Sequence, residues 1–313
     1  MRVVSTMTAA LAAATLGVCV AGAQSLGVWR EGAPLERPRA ALAATAIGAD
    51  VYVAGGAGLL APAPDFDKYE SAFGSWRELA SLPEGRSRFG MTSLDGRIYI
   101  AGGKGGGAET LASAAVYDPG RDAWSGLADL PEPRAGHALV ADGARLYAVG
   151  GDSAALDVFD PASGSWTRHD GEPALARFGA AGAAVDGRIY LLGGQADGEA
   201  SARVDVFDVA SGAWSRGPDL PAARAGLAAA VVAGRLHVLG GANASGMDAS
   251  VAHWMLAADG SGWAEAPDLP APRADFAAVN TGGSLVIVGG GGGGGFYGPF
   301  TASAAVDVYD PGS

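Results

Sequence analysis

Cysteine is almost absent from this sequence, which contains a single one, Cys19, in 313 residues. Cys19 falls within residues 1–23, which have the pattern of a signal peptide: a basic start, a short apolar run over residues 9–20 and a small-residue cleavage site ending at Ala23. Cleavage there would make Gln24 the first residue of the mature chain. The mature protein would then have no disulfide, no thiol nucleophile and no thiolate metal site.

Long hydrophobic runs are also missing. The apolar run over residues 9–20 is too short to span a bilayer comfortably, so we expect no membrane span. The signal pattern predicts a secreted or periplasmic protein. Lipoprotein processing at Cys19 is not expected, because that processing prefers a small residue directly before the cysteine and Val18 stands there.

Charge is sparse, and positive charge is the scarcer kind. Charged residues make up 17% of the chain, and 21 Lys and Arg against 33 Asp and Glu give a net charge of −12 with neutral histidines. Loss of Arg2 with the signal segment makes the mature chain one unit more negative. This balance disfavours binding to nucleic acid or to anionic membranes. With 49% hydrophobic residues, the composition predicts a packed core and excludes a disordered chain.

Glycine, by contrast, is abundant at 51 residues, and it marks an internal repeat. Six Gly-Gly pairs recur 43 to 49 residues apart, and an arginine precedes each pair by 16 residues. A tryptophan recurs with the same rhythm. Three landmarks in fixed phase indicate one repeated unit over residues 24–313. The pairs begin at Gly55, Gly102, Gly150, Gly193, Gly240 and Gly289; the arginines are Arg39, Arg86, Arg134, Arg177, Arg224 and Arg273; the tryptophans are Trp29, Trp76, Trp124, Trp166, Trp214 and Trp263.

One copy of the unit, over residues 130–151, reads LPEPRAGHALVADGARLYAVGG and is followed by Phe159-Asp160 and Trp166. This order of landmarks resembles the kelch repeat, whose period is about 50 residues. Tyr69 and Trp254 are assigned to the position of Phe159 in repeats that lack the following Asp. The resemblance covers about nine-tenths of the mature chain. It implies an all-β, six-bladed β-propeller with four antiparallel strands in each blade.

The pattern inside each repeat predicts the order of the strands. Small residues after the arginine indicate the innermost strand, because strands converge at a propeller axis and leave little room there. An Asp-Gly turn such as Asp142-Gly143 leads to a second strand rich in β-branched and aromatic residues. The third strand carries the aromatic-Asp pair, and the fourth carries the tryptophan at the rim.

The two ends of the repeat array predict how the ring closes. Trp29 stands in a lone strand before the first complete repeat, whereas the last repeat stops after Tyr309 without its tryptophan strand. We therefore predict that the Trp29 strand completes the last blade. Such closure leaves no unpaired sheet edge.

Departures from the repeat are the best candidates for a ligand site. The six repeated arginines are predicted to be structural, since a residue present in every blade rarely encodes one site. Two positions after them the residues are mostly small, but Arg88 and Asp275 are charged. Kelch domains that bind acidic peptides use an arginine at a position similar to Arg88. An exposed loop charge is the alternative interpretation.

Two sets of loops are expected to open on one face of the ring, around the mouth of the central channel. His137 lies three residues after Arg134, where kelch repeats often carry histidine; a packing role is the alternative. Aromatic residues after the glycine run 289–295 could cover a ligand, or could simply pack on a neighbouring blade. The remaining candidates are Lys104, Asp152, Gln195, Asn243, Phe296 and Tyr297.

Catalytic and metal-binding groups are few. His137 and Asp275 are the catalytic candidates, and no second carboxylate can be paired with Asp275. The other histidines fall at different phases of the repeat, so no metal site is predicted, and no cofactor. A copper oxidase of the galactose-oxidase type is excluded, since that family has seven blades and needs a cysteine crosslinked to tyrosine.

Two functions remain open. The first is a non-catalytic, monomeric module that binds a protein, peptide or glycan at the loop face. The second is a carbohydrate-active enzyme of the sialic-acid mutarotase or epimerase type, which exported six-bladed kelch proteins include. In that case Arg88 would help to clamp a sugar carboxylate, and His137 and Asp275 would move a proton. The second function requires these three side chains to lie within reach of one sugar.

Overall fold

The computed structural model describes residues 27–57, 61–243, 248–292 and 302–312. These residues form six four-stranded antiparallel sheets, and none of the described residues is in an α-helix. The first strand of each sheet contacts the first strands of both neighbouring sheets, so the six sheets form a ring. The prediction of a six-bladed β-propeller is confirmed. The predicted signal segment lies outside the described residues.

In each blade the strands follow one another in chain order from the channel to the rim, except that the first strand of the chain is the outermost strand of the last blade. Blade 1 contains β2 (Ala43–Ile47), β3 (Asp50–Ala54), β4 (Phe66–Glu70) and β5 (Ser75–Glu78). Blade 2 contains β6 (Gly90–Leu94), β7 (Arg97–Ala101), β8 (Ala114–Asp118) and β9 (Ala123–Gly126). Blade 3 contains β10 (His137–Asp142), β11 (Arg145–Gly150), β12 (Leu156–Asp160) and β13 (Ser165–His169).

The second half of the ring repeats this order. Blade 4 contains β14 (Ala181–Val185), β15 (Arg188–Leu192), β18 (Val204–Asp208) and β19 (Ala213–Arg216), with a 3-10 turn at Pro173–Leu175 and a hairpin of β16 (Gln195–Ala196) and β17 (Glu199–Ala200). Blade 5 contains β20 (Ala225–Val232), β21 (Arg235–Ala242), β22 (His253–Leu256) and β23 (Trp263–Glu265). Blade 6 contains β24 (Ala277–Thr281), β25 (Ser284–Val288), β26 (Val306–Asp310) and β1 (Val28–Glu31).

The inner strands are as crowded as their composition predicts. A methyl group added to Gly182 on β14 would lie 2.4 Å from the Ala138 Cβ on β10 of the neighbouring blade. Ser93 on β6 donates a hydrogen bond of 2.8 Å to the Ala46 carbonyl on β2. Small side chains are therefore required where neighbouring blades meet beside the channel.

Ring closure follows the predicted route. β1 pairs antiparallel with β26, and Trp29 lies opposite Tyr309 in the register. In every other blade the fourth strand comes from the same repeat as the first three. The propeller is thus closed by a strand that precedes the first repeat and completes the last blade.

The repeated arginines of blades 1, 2, 3, 4 and 6 form hydrogen bonds within their own blades. Arg134 is fully buried, and its guanidinium donates hydrogen bonds of 2.8 Å to the Ala148 carbonyl and to the Asp157 carboxylate. Equivalent aspartates pair with the arginines of blades 1, 4 and 6. Burial lowers the pKa of Arg134, although the charge of Asp157 opposes the shift. These bonds tie the loop before the inner strand to the second and third strands.

Blade 5 departs from this arrangement and corrects one sequence assignment. Leu256 pairs with Trp263, as Phe159 pairs with Trp166 in blade 3. Leu256 therefore occupies the aromatic position, and the assignment of Trp254 to it was wrong by two residues. Trp254 instead stands where Asp157, the partner of Arg134, stands in blade 3. Its side chain packs in the core between blades 4 and 5. An aromatic landmark could not reveal this, because the residue at the aromatic position is a leucine.

Candidate functional site

A closed ring of backbone hydrogen bonds surrounds the channel mouth on the face that carries the Gly-Gly loops. Each blade contributes the residue two positions after its repeated arginine, and the N–H of each residue donates to the carbonyl of its counterpart in the preceding blade. The six N···O distances are 2.7 to 2.9 Å. We call this ring the collar. Its members are Ala41, Arg88, Gly136, Gly179, Gly226 and Asp275.

The collar needs a left-handed backbone, which explains why three of its members are glycine. All six residues have φ between 53° and 66°. Glycine adopts this conformation without steric cost, whereas other residues are disfavoured there by about 1–2 kcal/mol. Three collar residues, Ala41, Arg88 and Asp275, therefore occupy positions that local backbone preference would give to glycine. Of the three, Arg88 and Asp275 have charged side chains, so these two are the first to consider for a ligand site.

Arg88 and Asp275 form a two-pronged ion pair at the mouth. The two guanidinium nitrogens of Arg88 lie 3.1 and 3.0 Å from the two carboxylate oxygens of Asp275. Their side chains are 10% and 18% exposed, so the pair is partly shielded from water. Bidentate pairs of this kind hold both groups in a fixed orientation. Because Arg88 belongs to blade 2 and Asp275 to blade 6, the pair spans blade 1.

Phe178 of blade 4 completes this group and was missed by the sequence analysis. The Cζ atom of Arg88 lies 5.4 Å from the centre of the Phe178 ring, within range of a cation–π interaction. A side chain of blade 2 that contacts blades 4 and 6 must extend over the axis. Phe178 directly follows the repeated arginine of blade 4. Its size is the signal in the sequence, because the residues at this position in the other blades are small: Ala40, Ser87, Ala135, Ala225 and Ala274.

The candidates that follow the Gly-Gly pairs flank this mouth. The backbones of Lys104 and Gln195 pair with the residues directly after the arginines of their blades. The Lys104 ammonium donates to the Thr110 hydroxyl. In blade 3 the Asp152 carboxylate replaces the backbone pairing and accepts the N–H of Ala135 at 2.9 Å. Asn243 donates to the Asp248 carboxylate at 2.7 Å. Phe296 and Tyr297 lie outside the described residues.

His137 does not join Arg88 and Asp275. Its ring is buried against the neighbouring blade, where a methyl group on Gly90 or Gly102 would lie within 2.9 Å of it. Neither ring nitrogen has a hydrogen-bond partner among the described residues. Burial, followed by the charge of Arg134, lowers the pKa of His137 to about 3. A packing contact is the role that this geometry supports.

The remaining histidines divide into one on the surface and two in the core. His169 is exposed on β13, whereas His237 and His253 are buried and joined by a 2.8 Å hydrogen bond between Nδ1 and Nε2. His253 Nδ1 lies 3.1 Å from the Pro267 carbonyl, which fixes it as the donor and Nε2 as the acceptor. No group of three His, Cys, Asp or Glu side chains suited to a metal ion occurs in the described part of the chain.

Three features define a kelch-type β-propeller: six blades of four strands, a last blade completed by β1, and an arginine that bonds to backbone carbonyls in successive repeats. The family model "KLHDC2/KLHL20/DRC7 Kelch-repeats domain" matches residues 128–290, and the model "Kelch motif" matches residues 85–131. The chain therefore belongs to the kelch-repeat family.

The solved structure titled "Structure of YjhT" is similar in fold. It superimposes with a TM-score of 0.74 over 88% of this chain and 96% of that chain, at 20% sequence identity. At this identity the similarity concerns the fold alone. No curated protein sequence matches the chain significantly. Within the described ranges, no helix has the length and apolar character needed to cross a bilayer.

Proposed function

We propose that this protein is an exported kelch module that binds a protein or peptide ligand at the collar. Kelch propellers bind proteins, and this chain is a member of that family. The observation that carries the proposal is the convergence of Arg88, Phe178 and Asp275 from three alternate blades onto the axis. The signal pattern of residues 1–23 supports export.

The chemistry of the three side chains favours a ligand that carries a carboxylate and an apolar group. The Arg88 guanidinium already holds one carboxylate in bidentate geometry, so a ligand carboxylate can take the place of Asp275 without changing the geometry at Arg88. Phe178 offers an aromatic surface beside it. An acidic residue or a chain-terminal carboxylate next to an apolar side chain meets both requirements.

The test uses a peptide array with the mature protein and a double variant, Arg88→Gly/Asp275→Gly. Glycine is the collar residue of blades 3, 4 and 5, so the variant keeps the backbone geometry. We expect peptides selected by the wild-type protein to bind the variant at least about tenfold more weakly, a loss of about 1.4 kcal/mol. The melting temperature is expected to stay the same or to rise.

The control for this test is Arg145→Ala, which removes an exposed arginine from the opposite face of the ring. It should leave peptide affinity unchanged. If the selected peptides lose affinity for the Arg145 variant but keep it for the double variant, the ligand site lies on the other face and the proposal is wrong.

The carbohydrate-enzyme alternative has less support from the geometry. It requires Arg88, His137 and Asp275 around one sugar, but the His137 ring is buried and its nitrogens have no polar partner among the described residues. Proton transfer needs a group within hydrogen-bond reach of the substrate. Exchange of sugar anomers, followed by NMR in the presence of the mature protein, tests this alternative directly.

A further inference from the structure

The second strand of each blade carries a large side chain that packs between blades, except in blade 6. This residue stands three positions before the Gly-Gly pair of its repeat and is buried in all six blades. Four blades have tyrosine and blade 5 has histidine, but blade 6 has valine. The six residues are Tyr52, Tyr99, Tyr147, Tyr190, His237 and Val286.

In blades 2, 3 and 5 the ring of this residue lies beside the aromatic residue of the next blade. The ring centres of Tyr99 and Phe159 are 6.4 Å apart, and those of Tyr147 and Phe207 are 6.5 Å apart. His237 lies in the same way 6.2 Å from Tyr309. Blade 6 has no ring at this position, and Tyr69 of blade 1 packs instead against a cluster of aliphatic side chains that includes Val286.

Tyr69 is consequently less buried than its counterparts. It is partly exposed, whereas Tyr117, Phe159, Phe207, Leu256 and Tyr309 are between 1% and 8% exposed. Trp76, opposite Tyr69 in the register, is partly exposed, as the other five rim tryptophans are. Tyr69 and Trp76 both line an opening between blades 6 and 1.

The opening is a cleft of about 260 Å³. Its apolar wall is formed by Val51, Val286, Val306 and Val308, together with the two aromatic rings. Polar residues also line the cleft: Arg30, Ser71, Thr281 and Ser284. The hydroxyl groups of Ser71 and Ser284 donate to the carboxylates of Asp50 and Asp310, and each oxygen can still accept a hydrogen bond. A concave apolar pocket with a few polar groups is the usual form of a small-molecule site.

We propose that this cleft binds a small phenol, whose ring occupies the place that tyrosine fills in blades 1 to 4. The volume is sufficient, because an apolar cavity of about 150 Å³ is known to take up benzene. The ring would pack on Val286 and contact Tyr69 and Trp76 in the offset or edge-on geometry that aromatic rings prefer. A hydroxyl on the ring can donate a hydrogen bond to a serine oxygen of the lining. The proposal does not depend on the ligand site at the collar.

The test uses p-cresol, which is the side chain of tyrosine as a free molecule. Saturable binding to the mature protein is measured by ligand-observed NMR and by the change in tryptophan fluorescence expected from contact with Trp76. Val286→Tyr restores the residue of the other repeats, so the cleft is filled from within. We expect this variant to bind p-cresol more than about tenfold more weakly and to melt at a higher temperature.

Two further variants keep the result interpretable. Val306→Phe fills the cleft from β26 with the residue that blade 1 has at this position, Phe66, and serves if the tyrosine variant does not fold. It should also abolish binding. The collar variant Arg88→Gly/Asp275→Gly should bind p-cresol like the wild-type protein. The proposal is overturned if p-cresol does not saturate, or if the variants that fill the cleft bind it unchanged.

Discussion

Lowering the pH from 7 to 4.5 is expected to remove several kcal/mol from the free energy of unfolding. Burial lowers the pKa of His137 to about 3 and those of His237 and His253 to about 4. The unfolded chain binds these protons near pH 6.5. The stability contributed by the neutral, buried histidines is therefore fully present well above pH 6.5. It is lost as the pH falls toward 4, by up to about 1.4 kcal/mol per pH unit for each histidine.

Substitution of the histidines should flatten this pH dependence. His137→Leu places leucine, the residue of blades 1 and 5, at a position where imidazole nitrogens have no partner among the described residues. Removing such an unpaired polar group should stabilise the protein by about 1–3 kcal/mol at pH 7. His237→Tyr/His253→Phe likewise introduces residues found at these positions in blade 1, Tyr52 and Phe66.

The measurement is urea unfolding at pH 7, 5.5 and 4.5. The wild-type protein should lose stability at each step, and the variant with all three substitutions should lose much less. His169→Leu is the control, because His169 is exposed on β13 and its replacement leaves the three buried histidines in place. An equally steep loss in the triple variant would show that carboxylates, not histidines, cause the acid sensitivity.

The fold could be predicted because its landmarks have the same physical role in successive blades. The landmarks are a tryptophan at the rim that donates to a loop carbonyl, a glycine pair, and an arginine that donates to carbonyls of its own blade. The assignment of the aromatic position failed in blade 5, because Leu256 replaces the aromatic residue there. The position of β1 was predictable for a related reason: an incomplete last blade leaves a free sheet edge.

The candidate site was predictable only in part. Arg88 and Asp275 could be selected one by one as charges among small residues, but their pairing depends on the width of the channel, which the repeat pattern does not contain. Phe178 stands one residue before the collar position, and only its size distinguishes it from the alanine or serine of the other five blades. His137 was considered for chemistry although its counterparts, such as Leu42 and Phe276, are apolar and indicate packing.

Blade 6 lacks the tyrosine that four other blades have on their second strand, and the candidate cleft lies at this position. Val286 stands where four blades have tyrosine, and this difference is visible in the sequence alone. Its consequence is not, because the effect falls on Tyr69 in the next blade, more than two hundred residues away in the chain. Only the closed ring brings the last blade beside the first.

Closure itself should dominate the stability of the domain. Deleting residues 26–31 removes β1, leaves β26 as an unpaired edge and exposes Tyr309 and His253, which are 2% and 1% exposed in the intact ring. We expect a loss of more than about 5 kcal/mol, a large fraction of the 5–15 kcal/mol that stabilises a typical domain. The melting temperature should fall by roughly 10 °C or more.

Point substitutions on β1 should separate the contribution of its side chain from that of its backbone. The Trp29 ring lies 5.1 Å from the Tyr309 ring, and its N–H donates to the Pro267 carbonyl at 2.9 Å. Trp29→Ala should therefore cost about 3 kcal/mol. Arg30→Ala, on the same strand but 60% exposed at the side chain, should change stability by less than about 0.5 kcal/mol. An unchanged melting temperature after the deletion would show that β1 does not hold the ring closed.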